Sequence, residues 1–152
     1  MQVEGEGHCI ATQKLREALN QSSTLSRCLL LYAHAFGIQA NYAAVANARG
    51  HLEERLARWL LMARDRLDSD KMILTHEFLA LMLGVRRAGV SDALRVFEVR
   101  GLVETVRGSV TIRDREGLEE CANGLYGVPE AEYERLFGAE VVTHALLHPH
   151  CD

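Results

Sequence analysis

Apolar residues recur at intervals of three and four through the first part of the chain, which is the period of an α-helix. This pattern predicts a short helix over 11–20, a long helix over 24–48 and a third helix over 51–67. A Gln-Ser-Ser tract at 21–23 separates the first two helices and supplies an N-cap, and Gly50 ends the second. We therefore expect the first three-quarters of the chain to be mostly helical.

The long predicted helix has two neighbouring apolar stripes. The first has the alternating steps of a coiled-coil seam, and its members are Leu25, Leu29, Tyr32, Phe36, Gln39, Ala43 and Ala46. The second consists of Cys28, Leu31, Ala35, Ile38, Tyr42 and Val45. A chain of 152 residues has little core with which to cover both stripes. We expect the first stripe to contact a second subunit, and a helix buried within one subunit is the alternative.

The third predicted helix is amphipathic. Its inner face is Leu52, Leu56, Trp59, Leu60, Ala63 and Leu67. Its charged residues lie mostly on the opposite face and predict a solvated surface; they are Glu53, Glu54, Arg55, Arg58, Arg64 and Arg66. A polar turn at 68–71 follows, and the apolar residues 72–74 are consistent with a short strand.

The stretch from Thr75 predicts two short helices joined by a glycine turn. Thr75 can cap a helix that ends at Leu83, Gly84 can adopt the positive φ of the turn, and a second helix covers about 87–99. The two helices must cross closely, and Ala80 supplies the small residue that the crossing needs. The apolar contacts are Leu79, Leu83, Val85, Val90, Ala93 and Leu94. This register is typical of a helix-turn-helix.

A β-hairpin is predicted directly after the second helix. Residues 104–106 and 110–112 are strand-like, and the turn between them contains Arg107 and Gly108. Such a hairpin is the wing of a winged helix, and Arg107 at its tip is placed to contact a phosphate backbone. The predicted fold class is mainly α with a small β wing, in which a long dimerisation helix precedes a winged helix-turn-helix domain.

The charge of the chain differs strongly between regions. The whole chain has 17 basic and 21 acidic residues, a net charge of -4. Residues 84–115 contain seven arginines against four acidic residues, a local charge of +3, whereas 116–152 contain one basic and eight acidic residues. The predicted helix-turn-helix is therefore locally basic, as contact with phosphate requires, and the overall charge does not exclude DNA.

Three segments of the chain, EERLARWLLMARDRL, LTHEFLALMLGVRRAGVSDAL and RGSVTIRDREGLEE, resemble the hinge, helix-turn-helix and wing of the Crp/Fnr superfamily of bacterial transcription regulators. The resemblance covers about 1–137 and is most specific over 52–120. It implies a remnant of the sensor domain at 1–22, a dimerisation helix at 23–50, a winged helix-turn-helix domain at 51–137 and a flexible tail at 138–152.

Nearly all of the family's N-terminal β-roll sensor has no counterpart in this sequence. We therefore expect a shortened family member or a fragment, and we predict no cofactor. The candidates for base recognition are Arg86, Arg87, Ala88 and Asp92. Arg87 occupies the place of a guanine-contacting arginine in the family, whereas Ala88 and Asp92 depart from the family's glutamate and basic residue. Asp92 could accept from a cytosine amine, or it could interact with Arg95 or with a water of a neighbouring base pair.

The candidate phosphate contacts are Thr75, His76, Ser91, Arg95, Arg107 and Ser109. The sequence predicts a cytoplasmic homodimer that binds a palindromic site in double-stranded DNA, with RNA polymerase as a further candidate partner. The alternative is a winged-helix dimerisation or adaptor module that no longer binds DNA or an effector.

The remaining reactive groups do not form a predicted site. Three histidines and a cysteine of the tail are possible metal ligands; they are His144, His148, His150 and Cys151. With no second ligand cluster, adventitious binding is favoured over a zinc site, and no metal is predicted. Cys28 and Cys121 are redox candidates, although a buried cysteine is more often a small apolar residue. We find no nucleophile, acid-base pair or phosphate loop, and we do not expect an enzyme.

Overall fold

The computed structural model describes residues 7–67 and 69–138, and within them the chain forms seven α-helices and three β-strands. In chain order these are α1 (Thr12–Gln21), α2 (Ser23–Arg49), α3 (Leu52–Arg64), β1 (Lys71–Ile73), α4 (His76–Leu83), α5 (Arg87–Val99), β2 (Val103–Val106), β3 (Ser109–Ile112), α6 (Arg115–Cys121) and α7 (Val128–Phe137). The predicted fold class, mainly helical with a small β wing, is confirmed.

Both predicted ends of the long helix are confirmed. The Leu25 N–H donates to the Ser22 hydroxyl over 3.1 Å, which caps α2. At the other end, a Cβ on Gly50 would lie 2.7 Å from the Ala46 carbonyl oxygen and 2.9 Å from a methyl group of Leu125. Glycine is therefore required at this position because the Ala46 carbonyl and the Leu125 side chain lie so close to it, and not because of a positive φ.

The strand predicted at 72–74 and the predicted hairpin are both present, and they form one sheet. The strand order is β1-β3-β2, and all pairs are antiparallel. In the register, Met72 faces Val110, which in turn faces Thr105. Met72 and Val110 are almost completely buried, so the inner surface of the sheet packs on the core. The pairing of β1 with the hairpin was not predicted from the sequence.

The core of the winged domain lies between α3, α5 and the sheet. Its largest fully buried side chains include Phe97 and Leu94 of α5, Leu56 and Leu60 of α3, and Leu79 of α4. The predicted inner face of the third helix is confirmed, because Leu56, Leu60 and Ala63 are buried and Leu52, Trp59 and Leu67 pack against the same cluster.

The prediction of a solvated charged face on the third helix is wrong at two arginines. Arg58 is only 6% exposed, and its Nε donates to the Leu125 carbonyl over 3.0 Å. Arg55 donates to the carbonyl of Leu83 at the end of α4. Burial lowers the pKa of the Arg58 guanidinium from its ordinary value. The physical reason for the error is that two segments distant in sequence bring their carbonyl groups onto this face.

Helix α2 is covered on some faces and open on another. α1 and α7 both pack against it, and the second predicted stripe is the more enclosed, with Ala35 buried. The first stripe is more open, with Leu29, Tyr32 and Phe36 41%, 53% and 59% exposed. Its last member, Ala46, is the exception: it is 3% exposed and is covered within the subunit. The second stripe thus packs largely within the subunit, and much of the first stripe is exposed.

The residues proposed as tail metal ligands, His144, His148, His150 and Cys151, lie outside the described residues. Within the described ranges, no cluster of three or more metal-ligating side chains is found. In the same part of the chain, no helix has the length and apolar character needed to cross a bilayer.

Candidate nucleic-acid interface

The turn between α4 and α5 has the geometry that the sequence predicts. The Phe78 N–H donates to the Thr75 hydroxyl over 3.1 Å and starts α4. Gly84 ends it in the left-handed region, with φ 65° and ψ 36°. Ala80 and Val90 are 8% and 0% exposed, so the small residue and its apolar neighbour do lie within the packed pair. This packing fixes the direction of α5.

The solvent face of α5 carries the four predicted base-contacting residues. Its inner face is Val90, Ala93, Leu94 and Phe97. Arg86, Arg87, Ala88 and Asp92 are all exposed, as is Arg95. Helical periodicity therefore presents the N-terminal half of α5, including two guanidinium groups, away from the domain core.

Arg87 is held by a carboxylate of the preceding helix. Its Nε lies 2.9 Å from an Oε of Glu77, and both side chains are about two-thirds exposed. No acceptor for the two terminal nitrogens of Arg87 is found among the described residues. Two parallel donors are what a bidentate contact with guanine needs. The Glu77 contact can thus orient the guanidinium while leaving its recognition edge open.

A second contact between the helices joins His76 to Ser91. The His76 Nδ1 lies 2.8 Å from the Ser91 Oγ, and the Ser91 hydroxyl donates to the Arg87 carbonyl over 3.2 Å. When the hydroxyl proton points to that carbonyl, Nδ1–H must be the donor in the first bond. The structure therefore brings together His76 and Ser91, two of the six predicted phosphate contacts, and these two side chains already interact with each other.

Asp92 pairs within its own helix. Its carboxylate lies 3.4 Å from the Arg95 guanidinium, one turn along α5, and both side chains are more than 70% exposed. Of the three roles considered for Asp92, the structure shows the interaction with Arg95. The contact partly neutralises a carboxylate that phosphates would otherwise repel.

The wing turn exposes one of its two predicted phosphate contacts and buries the other. Arg107 is exposed at the tip, where Gly108 has a φ of 77°. Ser109 is 8% exposed, and its hydroxyl points to the Val106 carbonyl at 3.5 Å. Ser109 begins β3 and is buried there, so its hydroxyl is poorly placed to contact phosphate.

Three arginines that contribute to the local positive charge have partners within the domain. Arg113 pairs with Glu104 across the hairpin. Arg100 donates to the Cys121 sulfur over 2.8 Å. Arg115 lies 2.9 Å from an Asp65 carboxylate oxygen and 2.8 Å from Glu119. The charge of +3 is consequently spread over several faces. Arg86, Arg87, Arg95 and Arg107 lie near the predicted interface, and two of these also have partners: Arg87 pairs with Glu77 and Arg95 with Asp92.

Arg115 belongs to a compact polar network, the Asp65–Tyr126–Arg115 network. The Tyr126 hydroxyl donates to Asp65 over 2.5 Å and accepts from Arg115 over 2.5 Å. Burial and the bond to Asp65 raise the pKa of Tyr126. Burial alone would lower the pKa of Arg115, but the contact with Asp65 raises it above its ordinary value. Neither this network nor the Glu77–Arg87 pair was predicted, because each joins residues that share no local pattern.

A helix-turn-helix followed by an antiparallel hairpin defines the winged helix-turn-helix class. More specifically, residues 54–121 match the Crp-like helix-turn-helix domain. The predicted resemblance to the C-terminal part of Crp/Fnr regulators is confirmed.

Solved structures support the same assignment. A protein of the Crp/Fnr family of transcriptional regulators from Eubacterium rectale is 31% identical, with a TM-score of 0.52, over 55% of this chain and 38% of its own. A transcriptional regulator of the CRP family from Thermus thermophilus is 26% identical, with a TM-score of 0.51, over 57% of this chain and 47% of its own. The chain thus spans less than half the length of these two relatives. A comparison with curated protein sequences found no significant match.

Proposed function

We propose that the protein is a DNA-binding transcriptional regulator that binds a two-fold symmetric operator as a homodimer. The observation that carries the proposal is the solvent face of α5, where Arg86 and Arg87 stand opposite the buried residues of the same helix. Two similar solved structures are transcriptional regulators of the Crp or Crp/Fnr family, which supports the same function. Binding to chromosomal DNA would take place in the cytoplasm, and RNA polymerase is a proposed further partner.

In this proposal the N-terminal half of α5 enters the major groove. Arg87 donates through both terminal nitrogens to guanine O6 and N7 while Glu77 holds its Nε. Arg86 precedes the first turn of α5 and can contact the neighbouring base pair or its phosphate. Ala88 presents only a methyl group, which suits contact with a thymine methyl.

Backbone contacts would come from both sides of the groove. A phosphate beside the start of α4 would accept from the Nε2–H of His76, in the tautomer whose Nδ1 accepts from the Ser91 hydroxyl. Thr75, Ser91 and Arg95 lie near the same end of the motif or along α5, and Arg107 reaches from the wing. These contacts set the position of the protein on the duplex and carry no sequence information by themselves.

The proposed subunit contact is the first stripe of α2. The helix has 27 residues and is therefore about 40 Å long, which is enough for an extended helix-helix contact. Leu29, Tyr32 and Phe36 expose between 41% and 59% of their surface along it. We propose that residues 23–50 form the dimerisation element and 51–137 the DNA-binding domain.

The decisive measurement compares Arg87→Ala with the wild-type chain. A preferred duplex is first selected from a random library with wild-type protein, and affinities for it and for a scrambled duplex are measured over a salt series. Arg87→Ala is expected to reduce the difference in binding free energy between the two duplexes by about 1–3 kcal/mol, because a bidentate guanine contact is lost. Arg16→Ala, an exposed change on α1, is the control. Absence of binding to any duplex at low salt contradicts the function and favours the adaptor alternative.

Arg107→Ala is expected to weaken DNA binding without changing sequence preference, unlike Arg87→Ala. The variant should bind the selected and the scrambled duplex more weakly by the same factor, because a wing contact with phosphate does not distinguish sequences. The slope of log affinity against log salt should become shallower by about the amount that one phosphate contact contributes. A change in preference between the two duplexes, with an unaltered slope, would show that Arg107 contacts a base.

Glu77→Ala tests whether the carboxylate orients Arg87. Removing it is expected to increase affinity for the scrambled duplex, because a negative charge near the backbone is lost, and to decrease sequence preference by up to about 1 kcal/mol. The matched control is Glu53→Ala, which removes an exposed carboxylate from the first turn of α3. Equal preference in Glu77→Ala and wild type would mean that Glu77 does not position Arg87. In an Arg87→Ala background, the Glu77 effect on preference should disappear.

A further inference from the structure

Strand β2 of the wing lies at the edge of the sheet. The strand order is β1-β3-β2, so β2 pairs with β3 on one side only. The base of the hairpin is anchored in the core, because Val103 and Ile112 are 4% and 7% exposed. Nearer the tip, Val106 is 59% exposed. Core packing therefore holds the base of the wing more firmly than its tip.

A carboxylate of α5 contacts β2 between the base and the tip. The Oε1 of Glu98 accepts from the Thr105 N–H over 2.9 Å and also from the Thr105 hydroxyl. The Thr105 N–H points to the edge that β3 leaves open, so Glu98 takes the place of a neighbouring strand. Among the described residues, no other side-chain hydrogen bond joins α5 to the hairpin.

The stability of α5 does not explain a carboxylate at this position. Glu98 lies in the last turn of α5, where the negative end of the helix dipole disfavours an acidic side chain. It follows Arg87 by eleven residues, close to three helical turns, so both side chains are on the same face of the helix. On a face that approaches DNA, phosphates repel a carboxylate. The bonds to Thr105 are the favourable contacts that oppose these two effects.

We infer that Glu98 is a positioning residue, which holds the wing against α5 so that Arg107 reaches a phosphate while Arg87 contacts a base. Arg107 follows Thr105 by two residues, about 7 Å of extended chain. The Glu98–Thr105 contact therefore connects the helix proposed to recognise sequence with the wing proposed to contact the backbone. This role rests on the proposed function, but the contact itself belongs to the DNA-free protein and can be measured there.

Hydrogen exchange of the Thr105 amide in the DNA-free full chain tests the contact. Glu98→Ala removes the acceptor and is expected to increase the exchange rate at Thr105 by about tenfold or more, while the amide of the buried Leu94 keeps its wild-type rate. Glu98→Gln retains an oxygen at the place of Oε1, so exchange at Thr105 should stay close to the wild-type rate. Equal exchange at Thr105 in Glu98→Ala and wild type would overturn the inference, whatever the protein does with DNA.

The salt dependence of DNA binding tests the role of the contact. Loss of a negative charge near DNA should by itself strengthen binding. We nevertheless expect Glu98→Ala to weaken binding to both the selected and the scrambled duplex by about two- to fivefold, the effect of one exposed ion pair. Its salt slope should become shallower by about the amount that one phosphate contact contributes. In this background Arg107→Ala should have little further effect, because its contact is already lost.

Glu98→Gln separates the position of the wing from the charge of the carboxylate. The variant keeps the acceptor and removes the charge, so it should bind both duplexes at least as tightly as wild type, and Arg107→Ala should retain its full effect in this background. Glu120→Ala, which removes an exposed carboxylate from α6, is the control for a lost charge elsewhere. Glu98 is exposed, so folding should be retained. Thr105→Val, which removes only the hydroxyl bond, should give a smaller effect of the same sign.

Two results with DNA would contradict the positioning role. If Glu98→Ala and Glu98→Gln both bind more tightly than wild type, the carboxylate acts only through its charge. If Arg107→Ala has the same effect in Glu98→Ala as in wild type, the wing reaches its phosphate without Glu98. Absence of wild-type binding to any duplex overturns the proposed function and with it this role in DNA binding, whereas unaltered exchange at Thr105 overturns the contact alone.

Discussion

Phe97→Ala is expected to lower the free energy of unfolding of the winged domain by about 3–5 kcal/mol, the cost of truncating a fully buried phenylalanine. Phe97 lies on α5 with 0% exposure, at the centre of the cluster that α3, α5 and the sheet share. Alanine leaves a cavity that rigid neighbours can fill only in part. Denaturant unfolding of the variant and the wild type at the same protein concentration measures the difference.

The control for this prediction lies two residues away on the same helix. Val99 is 84% exposed, and Val99→Ala should change the free energy of unfolding by less than about 0.5 kcal/mol. A small effect of Phe97→Ala, comparable to that of Val99→Ala, would mean that α5 does not pack on the core through the face described above.

The orientation of α5 depends on the same core. Arg87 is ten residues before Phe97 on the same helix. Because a helix is rigid, the packing of its buried residues fixes the position of its exposed ones. Under conditions in which Phe97→Ala remains folded, we therefore expect its sequence preference for DNA to fall less than that of Arg87→Ala, because the contacting groups are unchanged. This comparison separates residues that hold the helix from residues that contact the base pairs.

The helix-turn-helix could be predicted from the sequence because each of its signals is local. Thr75 caps the first helix, Gly84 alone tolerates the left-handed turn, and Ala80 permits the close crossing. Each of these constraints acts within a few residues of its origin, so the sequence order is enough to place them. The hairpin was predictable for the same reason, since Gly108 lies between two alternating apolar segments.

The environment of individual charges could not be predicted in this way. Arg58 has the helical position of a surface residue, but the carbonyl of Leu125, which is 67 residues away, accepts its hydrogen bond. Arg115 was counted as part of a basic surface, but Asp65, 50 residues earlier, pairs with it. Such contacts depend on how distant segments pack. A charge count therefore gives the sign of a region without showing which face of the domain carries it.

Two neighbouring leucines of α2 offer a closely matched pair of positions at which to test the proposed dimer. Leu29 belongs to the first stripe and is 41% exposed, whereas its neighbour Leu30 lies outside that stripe and is 72% exposed. Leu29→Glu should dissociate the proposed dimer, because it places a charge in an apolar subunit contact. Leu30→Glu adds the same charge at a more exposed site and should leave the dimer intact. Analytical ultracentrifugation distinguishes these outcomes.

The effect of Leu29→Glu on DNA binding should be larger than that of any single contact. A dimer binds the second half-site as an intramolecular event, and its loss typically reduces affinity by about 10²- to 10⁴-fold. On a duplex with only one half-site, wild type and Leu29→Glu should bind almost equally, because neither gains from a second subunit. If both leucine variants stay dimeric, the subunit contact lies elsewhere on the chain. If Leu29→Glu is monomeric but keeps full affinity for the two-site duplex, each domain binds DNA independently and the two-fold symmetric mode of binding is wrong.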